Sequence, residues 1–183
     1  MSNHVVIIGG GAAGLSAALF ASRAGARVTL LEKNEKFGKK LYITGKGRCN
    51  MTNDCTTEEF LTNVPRNPRF LYSALRCLSP QDLQTLMNSL GCKTKVERGQ
   101  RVFPESDHAS DVSRAFLDGL KGQGLKLGVE VKEILYENGR AAGVRVQDVM
   151  GERCIAADAV IVATGGLSYP VTGSTGDGYR MAE

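Results

Sequence analysis

Residues 4–14, HVVIIGGGAAG, place four glycines directly after a run of apolar residues, and this stretch decides the fold. Glycine loses more conformational freedom on folding than any other residue, so a cluster of glycines needs a backbone reason. The apolar run at 4–9 predicts a strand, and the Ala- and Leu-rich residues 12–24 predict a helix that ends at Gly25. RVTLLE at 27–32 predicts a buried parallel strand, which completes a β-α-β unit.

The glycines match the spacing GxGxxG between a strand and a helix, with an acidic residue, Glu32, at the end of the second strand. Gly9 permits a tight turn, Gly11 lets backbone N–H groups approach a pyrophosphate, and Gly14 lets the helix pack closely on the strand. The helix N-terminus adds partial positive charge that faces the phosphates. Glu32 can accept hydrogen bonds from a ribose diol and disfavours a 2′-phosphate, which indicates FAD or NAD rather than NADP. A purely structural glycine turn is the alternative.

The remaining elements follow from local patterns. A long loop is expected over 33–56, followed by a helix over 67–78 and by a second helix that begins with a capping box of Ser79 and Asp82. The run KTKVERGQRVF (93–103) predicts an antiparallel pair, and Ser106 or Asp107 is expected to cap a helix that reaches about Leu120. Period-two patterns predict a β-meander with strands at 125–139, 141–149 and 152–157, then a buried strand at 159–166 and the start of a helix at 176–183.

This layout predicts the α/β class. It resembles a Rossmann-like FAD-binding domain of the glutathione-reductase type, with a parallel sheet, helices and a β-meander, and the resemblance implies FAD rather than NAD as the dinucleotide.

Six basic residues fall between positions 33 and 48, interleaved with glycines: Lys33, Lys36, Lys39, Lys40, Lys46 and Arg48. For Lys33, Lys36 and Lys39, a solvated flexible loop is the simpler interpretation. Gly45, Lys46, Gly47, Arg48, Cys49 and Asn50 instead fit a loop folded over the phosphates or the flavin edge of a cofactor, because glycines flank a cation and an amide there.

Composition excludes several classes of protein. The chain has 183 residues, of which 42% are hydrophobic and 23% are charged, as in ordinary globular proteins, and its net charge of +4 is too mild to indicate a nucleic-acid binder. No run of about 18 apolar residues predicts a membrane span. Five cysteines without a CxxC pair indicate a reduced, cytoplasmic chain, and no cluster has the spacing of a metal site. Of the two histidines, His4 is expected at the surface and His108 at a helix start.

Several motifs together resemble one family. They are IIGGGAAGL (7–15), LLEKNEKFGKKL (30–41), TGKGRCNMTN (44–53), RVFPESDHASDV (101–112) and AVIVATGGLSYPVTGSTGDGYRMA (159–182). They resemble the YhiN/BaiN-type bacterial flavoproteins, which are also described as NAD(P)/FAD-dependent oxidoreductases or aminoacetone-oxidase-family FAD-binding enzymes. The resemblance implies an FAD held by these residues: Gly9, Gly11, Ala13, Gly14, Glu32, Lys33, Lys40, Gly45, Lys46, Gly47, Arg48, Asn50, Thr164, Gly165 and Gly166. By analogy, the backbone of Val131 would meet the adenine ring.

The family implies an FAD-dependent oxidoreductase that transfers hydride, through the flavin, to or from a small organic substrate. NAD(P)H is a candidate electron donor, and no catalytic residue is assigned. Family members are longer. The chain is therefore expected to be the N-terminal part of an FAD-binding domain, with a helical and β-hairpin excursion at about 57–124. It would lack the substrate-side domain and the C-terminal segment that completes the FAD site, and would be inactive alone.

Two alternatives stay open: a tRNA-associated flavoprotein, which only the basic loop supports, and a non-catalytic remnant of the FAD fold. The expected partner is a small molecule, with no nucleic acid and no membrane, and the oligomeric state is unassigned. A Cys49 thiol that reacts near the flavin is a further alternative. Asp177 is expected to cap the last helix, with a position facing the flavin as the alternative.

Overall fold

A computed structural model describes residues 2–183, and the chain divides into two compact units. The first unit comprises residues up to Leu41 together with Phe116–Glu183, and the second comprises Tyr42–Ala115. In chain order, the elements are β1 (His4–Ile8), α1 (Ala12–Arg23), β2 (Arg27–Glu32), β3 (Thr52–Asn53), α2 (Thr57–Thr62), α3 (Tyr72–Cys77), α4 (Pro80–Ser89), β4 (Thr94–Glu97), β5 (Arg101–Pro104), α5 (Ala109–Gly119), β6 (Gly124–Leu127), β7 (Glu130–Glu137), β8 (Arg140–Asp148), β9 (Gly151–Ala156), β10 (Ala159–Val162) and α6 (Asp177–Ala182).

The first unit is built on a parallel sheet with the strand order β10-β1-β2-β6. Ile8, the last residue of β1, pairs with Leu31 of β2 on one side and with Val162 of β10 on the other. Because parallel strands end at the same edge, the segments that follow β1, β2 and β10 meet there. That edge carries the candidate site, and the predicted β-α-β unit at residues 4–32 is confirmed.

One part of the core of the first unit lies between the sheet and an antiparallel meander of β7, β8 and β9. Alternate residues of β1 face the meander, so that Val6 and Ile8 pack with buried apolar residues of the other strands and of the loops that join them: Leu31, Val129, Val131, Val144, Val146 and Ala157. The predicted meander and the α/β class are confirmed.

The boundary of the meander differs from the prediction of one strand over 125–139. The chain turns at Gly128, which has a φ of +67°, and the N–H of Val129 donates to the carbonyl of Glu32 at 3.0 Å. The residues before this turn form β6 and pair with β2, whereas those after it begin β7. A period of two fits both segments, so the pattern alone did not separate them.

The strand at β10 was expected to be buried, and this expectation is wrong. Ile161 and Val162 are 37% and 44% exposed, and consecutive strand residues point to opposite faces, so neither face of the sheet is fully covered at this end of β10.

The second unit combines short helices with the sheet β3-β5-β4. The Ser79–Asp82 capping box of α4 and the β4–β5 hairpin are confirmed. The helix predicted over 67–78 is a 3₁₀ turn at Pro68–Leu71 followed by α3. Helix α2 was missed although Thr56 and Glu59 form its capping box, because six residues are too few to give a clear apolar period.

Two further boundaries differ from the sequence analysis. Helix α5 begins at Ala109, so that His108, and neither Ser106 nor Asp107, directly precedes it. The predicted excursion ran over about 57–124, whereas the second unit covers 42–115, because β6 pairs with β2 in the first unit. Within residues 2–183, no helix has the length and apolar character needed to cross a membrane.

Candidate dinucleotide-binding site

The three glycines of the GxGxxG motif have different surroundings in the structure. Gly9 has a φ of +101°, and a Cβ there would lie 2.6 Å from the carbonyl oxygen of Ala163. A Cβ on Gly14 would lie 1.8 Å from the carbonyl oxygen of Gly9, so only glycine allows the helix to pass the loop. A Cβ on Gly11 would meet nothing within 4 Å, which leaves open space beside the backbone of the loop.

Helix α1 starts at this loop with its N–H groups unsatisfied by side chains. Gly11 occupies the cap position without a side-chain hydrogen bond, and the first turn, which includes Ala13, carries no acidic residue. The first N–H groups of a helix have no intrahelical partner and carry partial positive charge, so they can bind an anion. The loop and the helix start therefore have the form and the polarity of a pyrophosphate site.

Glu32 connects the second strand to the glycine loop. Its Oε2 accepts a hydrogen bond from the N–H of Gly10 at 2.8 Å. Its Oε1 accepts from the backbone N–H and the side-chain Nδ2 of Asn34, at 2.8 and 2.7 Å. A carboxylate oxygen can accept two hydrogen bonds, so Oε2 keeps one acceptor position while the side chain as a whole is only 7% exposed.

Gly10 and Phe37 are site residues that the sequence analysis missed. A Cβ on Gly10 would lie 2.3 Å from Cδ1 of Phe37, whose buried ring covers this side of the loop. The signal was the middle glycine of the GGG run, Gly10, which the GxGxxG spacing does not require.

The end of β10 comes next to the glycine loop. The Cα of Thr164 lies 3.0 Å from the position of a Cβ on Gly9, and a Cβ on Gly165 would lie 2.8 Å from Oγ of Ser174. A Cβ on Gly166 would meet only the Tyr179 hydroxyl, at 3.6 Å. The structure thus places Thr164, Gly165 and the glycine loop at one edge, and their contact with FAD stays a prediction.

Two lysines predicted to contact the cofactor, Lys33 and Lys40, form hydrogen bonds with the segment 168–177, and their contact with a cofactor stays a prediction. Lys33 Nζ donates to Oδ2 of Asp177 at 2.6 Å and to Oγ1 of Thr175 at 2.7 Å. Lys40 Nζ donates to the carbonyl of Ser168 and to Oγ of Ser174, both at 2.7 Å. We call these contacts the lysine clasp; they hold the loop after β2 against the loop before α6.

Asp177 does not occupy the cap position of the last helix, which Gly176 holds, so that expectation is wrong. The carboxylate is buried and also forms an ion pair with Arg180. Burial acts to raise the pKa of Asp177, but the hydrogen bond and charge of Lys33 outweigh it and lower this pKa below the ordinary value. The side chain is therefore the anionic partner of the clasp.

The predicted cofactor residues at 45–50 belong to the second unit, where they build a local structure of their own. A Cβ on Gly45 would lie 2.7 Å from the ring of Phe103, whereas Lys46 and Gly47 are exposed. With its amide oriented to donate, Asn50 bonds the carbonyl oxygens of Thr52 and Val102 at 3.1 and 3.2 Å. Their contact with a cofactor stays a prediction.

Arg48 is the centre of a charge cluster in the second unit, which we call the Arg48 cluster: Arg48, Lys95, Glu97, Asp107 and Phe103. The guanidinium donates to both oxygens of Glu97, at 2.8 and 3.1 Å, and to Asp107 at 3.1 Å. Its Cζ lies 4.1 Å from the ring centroid of Phe103, and Lys95 Nζ donates to Asp107 at 2.6 Å. The positive charge of Arg48 is therefore balanced within the unit.

The cluster shifts the pKa values of its carboxylates. The hydrogen bond from Arg48 lowers the pKa of Glu97, and the hydrogen bond from Lys95 lowers the pKa of Asp107. Both carboxylates therefore stay ionised to a lower pH than they would without these partners.

Three further residues from the sequence analysis, Val131, Cys49 and His4, are all buried. Val131 pairs with Val146 and is buried in the core, so its backbone contact with an adenine stays a prediction. Cys49 is 1% exposed, and burial raises the pKa of its thiol, which argues against a reactive thiol there. His4 was expected at the surface but is 7% exposed, and its Nε2 lies 2.8 Å from Oγ1 of Thr29.

Within residues 2–183, no group of His, Cys, Asp and Glu side chains is arranged to hold a metal ion.

Residues 3–183 match the family described as HI0933-like protein Rossmann domain. The chain belongs to this family. The match spans the glycine loop, Glu32 and the end of β10, so the family and the geometry of the site agree. This family is the one that the motifs at 7–15, 44–53 and 159–182 indicated, and the YhiN/BaiN resemblance is confirmed.

Two curated relatives align with almost the whole chain. A "3-dehydro-bile acid delta(4,6)-reductase" of Clostridium scindens is 36% identical over 184 residues, which cover 98% of this chain and 43% of the relative. A "ribosomal RNA dihydrouridine synthase" of Escherichia coli is 31% identical over 178 residues, which cover 97% of this chain and 43% of the relative. The chain thus spans less than half the length of these relatives.

Solved structures share the fold at lower identity. A flavocytochrome c3 fumarate reductase in an open conformation matches with a TM-score of 0.70 and 23% identity over 99% of this chain and 40% of the other. A 3-ketosteroid-delta4-(5alpha)-dehydrogenase from Rhodococcus jostii RHA1 matches with a TM-score of 0.69 and 16% identity over 91% of this chain and 47% of the other. The fold is that of a Rossmann-type FAD-binding domain.

Proposed function

We propose that the protein binds FAD at the edge formed by the glycine loop, Glu32 and the end of β10. The observation that carries this proposal is the buried Glu32 carboxylate, whose Oε2 is bonded to the loop at Gly10 and keeps one acceptor position. A ribose hydroxyl can donate to that position, while the adjoining pyrophosphate lies against the start of α1. A 2′-phosphate there would meet the negative charge of Glu32, so FAD is favoured over NADP.

The open space at Gly11 supports the same assignment. Gly9, Gly10 and Gly14 are needed by their protein neighbours, since a Cβ on any of them would lie within 2.6 Å of another atom. Gly11 has no such neighbour, so the protein's own packing does not explain why its side chain is absent. A phosphate beside its N–H does explain it.

We propose further that the flavin serves the reduction of a carbon–carbon double bond conjugated to a carbonyl group. The names of both curated relatives describe this chemistry: a delta(4,6)-reductase saturates ring double bonds of a keto compound, and a dihydrouridine synthase saturates the double bond of uracil beside its carbonyl. A bound FAD supplies the two-electron redox chemistry, by which such a bond gains a hydride equivalent and a proton. The residues of this chain bind and orient the dinucleotide.

The first candidate substrate is a small cyclic unsaturated ketone, which agrees with the identity of 36% to the bile-acid reductase. The basic loop at 33–48 supports a small substrate, because Lys33, Lys39, Lys40 and Arg48 all have partners within the protein and do not form a surface of free cations.

The second candidate substrate is uracil within RNA, which agrees with the identity of 31% to the ribosomal RNA dihydrouridine synthase. A separate surface of the second unit, described in the next subsection, supports this candidate.

NAD(P)H is the proposed electron donor, and the cytoplasm the proposed location. All five cysteines are free thiols, of which three are buried, and this supports a reducing compartment.

The test has two steps. The purified protein is heated and the released cofactor is identified by mass spectrometry; we expect FAD, and a protein that binds no FAD on reconstitution contradicts the site. The reduced holoprotein is then mixed, without oxygen, with a cyclic unsaturated ketone or with a uridine-containing oligonucleotide. Reoxidation of the flavin with formation of the saturated product supports the reaction class. A reduced flavin that neither substrate reoxidises under these conditions contradicts it.

A further inference from the structure

Residues 60–81 contain three arginines and no acidic residue. Arg66, Arg69 and Arg76 are all exposed, and within residues 2–183 none of their guanidinium groups forms a salt bridge. This contrasts with the Arg48 cluster, where each cation faces a carboxylate. The stretch therefore presents three exposed arginines without ion-pair partners on the second unit.

Two aromatic side chains are exposed between these arginines. Phe70 is 85% exposed and Tyr72 is 50% exposed. The guanidinium of Arg76 lies over the ring of Tyr72, 5.9 Å from its centroid. A single exposed aromatic residue is ordinary, but two of them between unpaired arginines combine stacking faces with positive charge.

The backbone holds this stretch in a defined shape. Pro68 begins the 3₁₀ turn Pro68–Leu71, in which the N–H of Phe70 donates to the carbonyl of Asn67 at 3.0 Å, and α3 follows without a break. A segment that is already ordered loses little conformational freedom on binding a partner.

We propose that Arg66–Arg76 is a binding surface for single-stranded RNA. The arginines would neutralise phosphates, and unstacked bases would lie on the faces of Phe70 and Tyr72, the combination by which proteins hold single strands. The choice of RNA rests on the second candidate of the proposed function, uracil in RNA. The low net charge of the whole chain does not oppose this, because residues 60–81 carry three positive charges and no negative one.

The experiment measures binding of a fluorescent oligouridylate by anisotropy, with the protein in its FAD-bound form. Phe70→Ala is expected to weaken binding about tenfold, which is the effect of losing one stacked base. The pair Arg69→Gln and Arg76→Gln is expected to lower the slope of log affinity against log salt by about 0.7 for each arginine.

Matched controls exist elsewhere on the protein. Tyr136→Ala removes another exposed aromatic ring, and Lys121→Gln removes another exposed cation, and both are expected to leave binding unchanged. Thermal melts of all variants confirm that the fold is retained, since every substituted side chain is exposed.

The outcomes separate this proposal from the proposed function. If the protein binds heparin as tightly as the oligouridylate, and Phe70→Ala has no effect, the RNA-binding surface is overturned, because the protein would then recognise negative charge alone. Tighter binding of an oligothymidylate than of the oligouridylate overturns the choice of RNA. An FAD-bound protein that reduces an unsaturated ketone but binds no RNA overturns the surface and leaves the reaction class intact. RNA binding that depends on Phe70, in a protein that reduces nothing, supports the surface and contradicts the reaction class.

Discussion

The carbonyl oxygen of Gly9 lies so close to the Cα of Gly14 that a Cβ on Gly14 would be 1.8 Å from it. Two non-bonded heavy atoms cannot lie this close together, so position 14 must be glycine. The backbone of the loop and the backbone of the first turn of α1 are in direct contact there. The same loop leaves free space at Gly11. Gly14 thus allows close packing of the helix on the loop, whereas Gly11, three positions earlier, leaves room for a ligand.

Gly14→Ala is expected to destabilise the protein by about 3 kcal/mol, because the methyl group forces the loop and the helix apart. Gly11→Ala is the matched control: its φ of −77° suits alanine, so we expect an almost unchanged melting temperature but weaker binding of FAD. Thermal melts and FAD titrations measure the two effects. If Gly11→Ala left FAD binding unchanged, no phosphate would lie beside that N–H.

Glu32→Gln is expected to cost about 1–3 kcal/mol of stability and to weaken FAD binding. The amide offers one acceptor oxygen where the carboxylate offers two, so either the Gly10 or the Asn34 donors face an NH₂ group. Chemical denaturation and FAD titration check this. Glu35→Gln, which alters an exposed carboxylate on the same loop, should change neither quantity.

Stability should fall as the solution is acidified, in part through the Arg48 cluster. The pKa values of Glu97 and Asp107 are lowered in the folded protein from their ordinary values of 4.5 and 3.8. The contribution of the two carboxylates to stability is therefore complete above their ordinary pKa values. It is lost as the pH falls through their lowered pKa values in the folded protein. We expect a shallower loss of stability below pH 4.5 when Glu97→Gln and Asp107→Asn are combined. Melting temperatures across the acidic range test this, and an unchanged slope would refute it.

Asp177→Asn is expected to weaken the lysine clasp and to cost about 1 kcal/mol, since its partner Lys33 is partly exposed. Amide hydrogen exchange should accelerate in residues 168–177 and remain unchanged in the meander. Asp118→Asn, which breaks an exposed ion pair with Lys121, serves as the control. Equal exchange in both variants would show that the clasp does not hold this loop.

Alkylation of the native protein at mildly alkaline pH should label Cys77 and Cys154, which are exposed, and spare Cys49 and Cys92. Burial raises the pKa of Cys49 and, with Asp111 and Cys49 nearby, raises the pKa of Cys92 to about 11. Both thiols then stay protonated and shielded. Peptide mass spectrometry identifies the labelled cysteines. Rapid labelling of Cys49 would contradict this prediction and support the alternative of a reactive thiol in the 45–50 loop.

The sequence by itself determined the β-α-β unit, the glycine loop, Glu32 at the end of β2, the capping box of α4 and the family. These features depend on residues close together in the chain, whose spacing records the period of a helix, the pleat of a strand or the conformational needs of a turn. The tertiary structure alone decided that β6 joins the parallel sheet, that Lys33 pairs with Asp177 across 144 positions, and that Arg48 faces Glu97 and Asp107. Charges and strands that meet over such separations leave no local pattern, because their contact depends on how the chain folds back and not on which residues are neighbours in sequence.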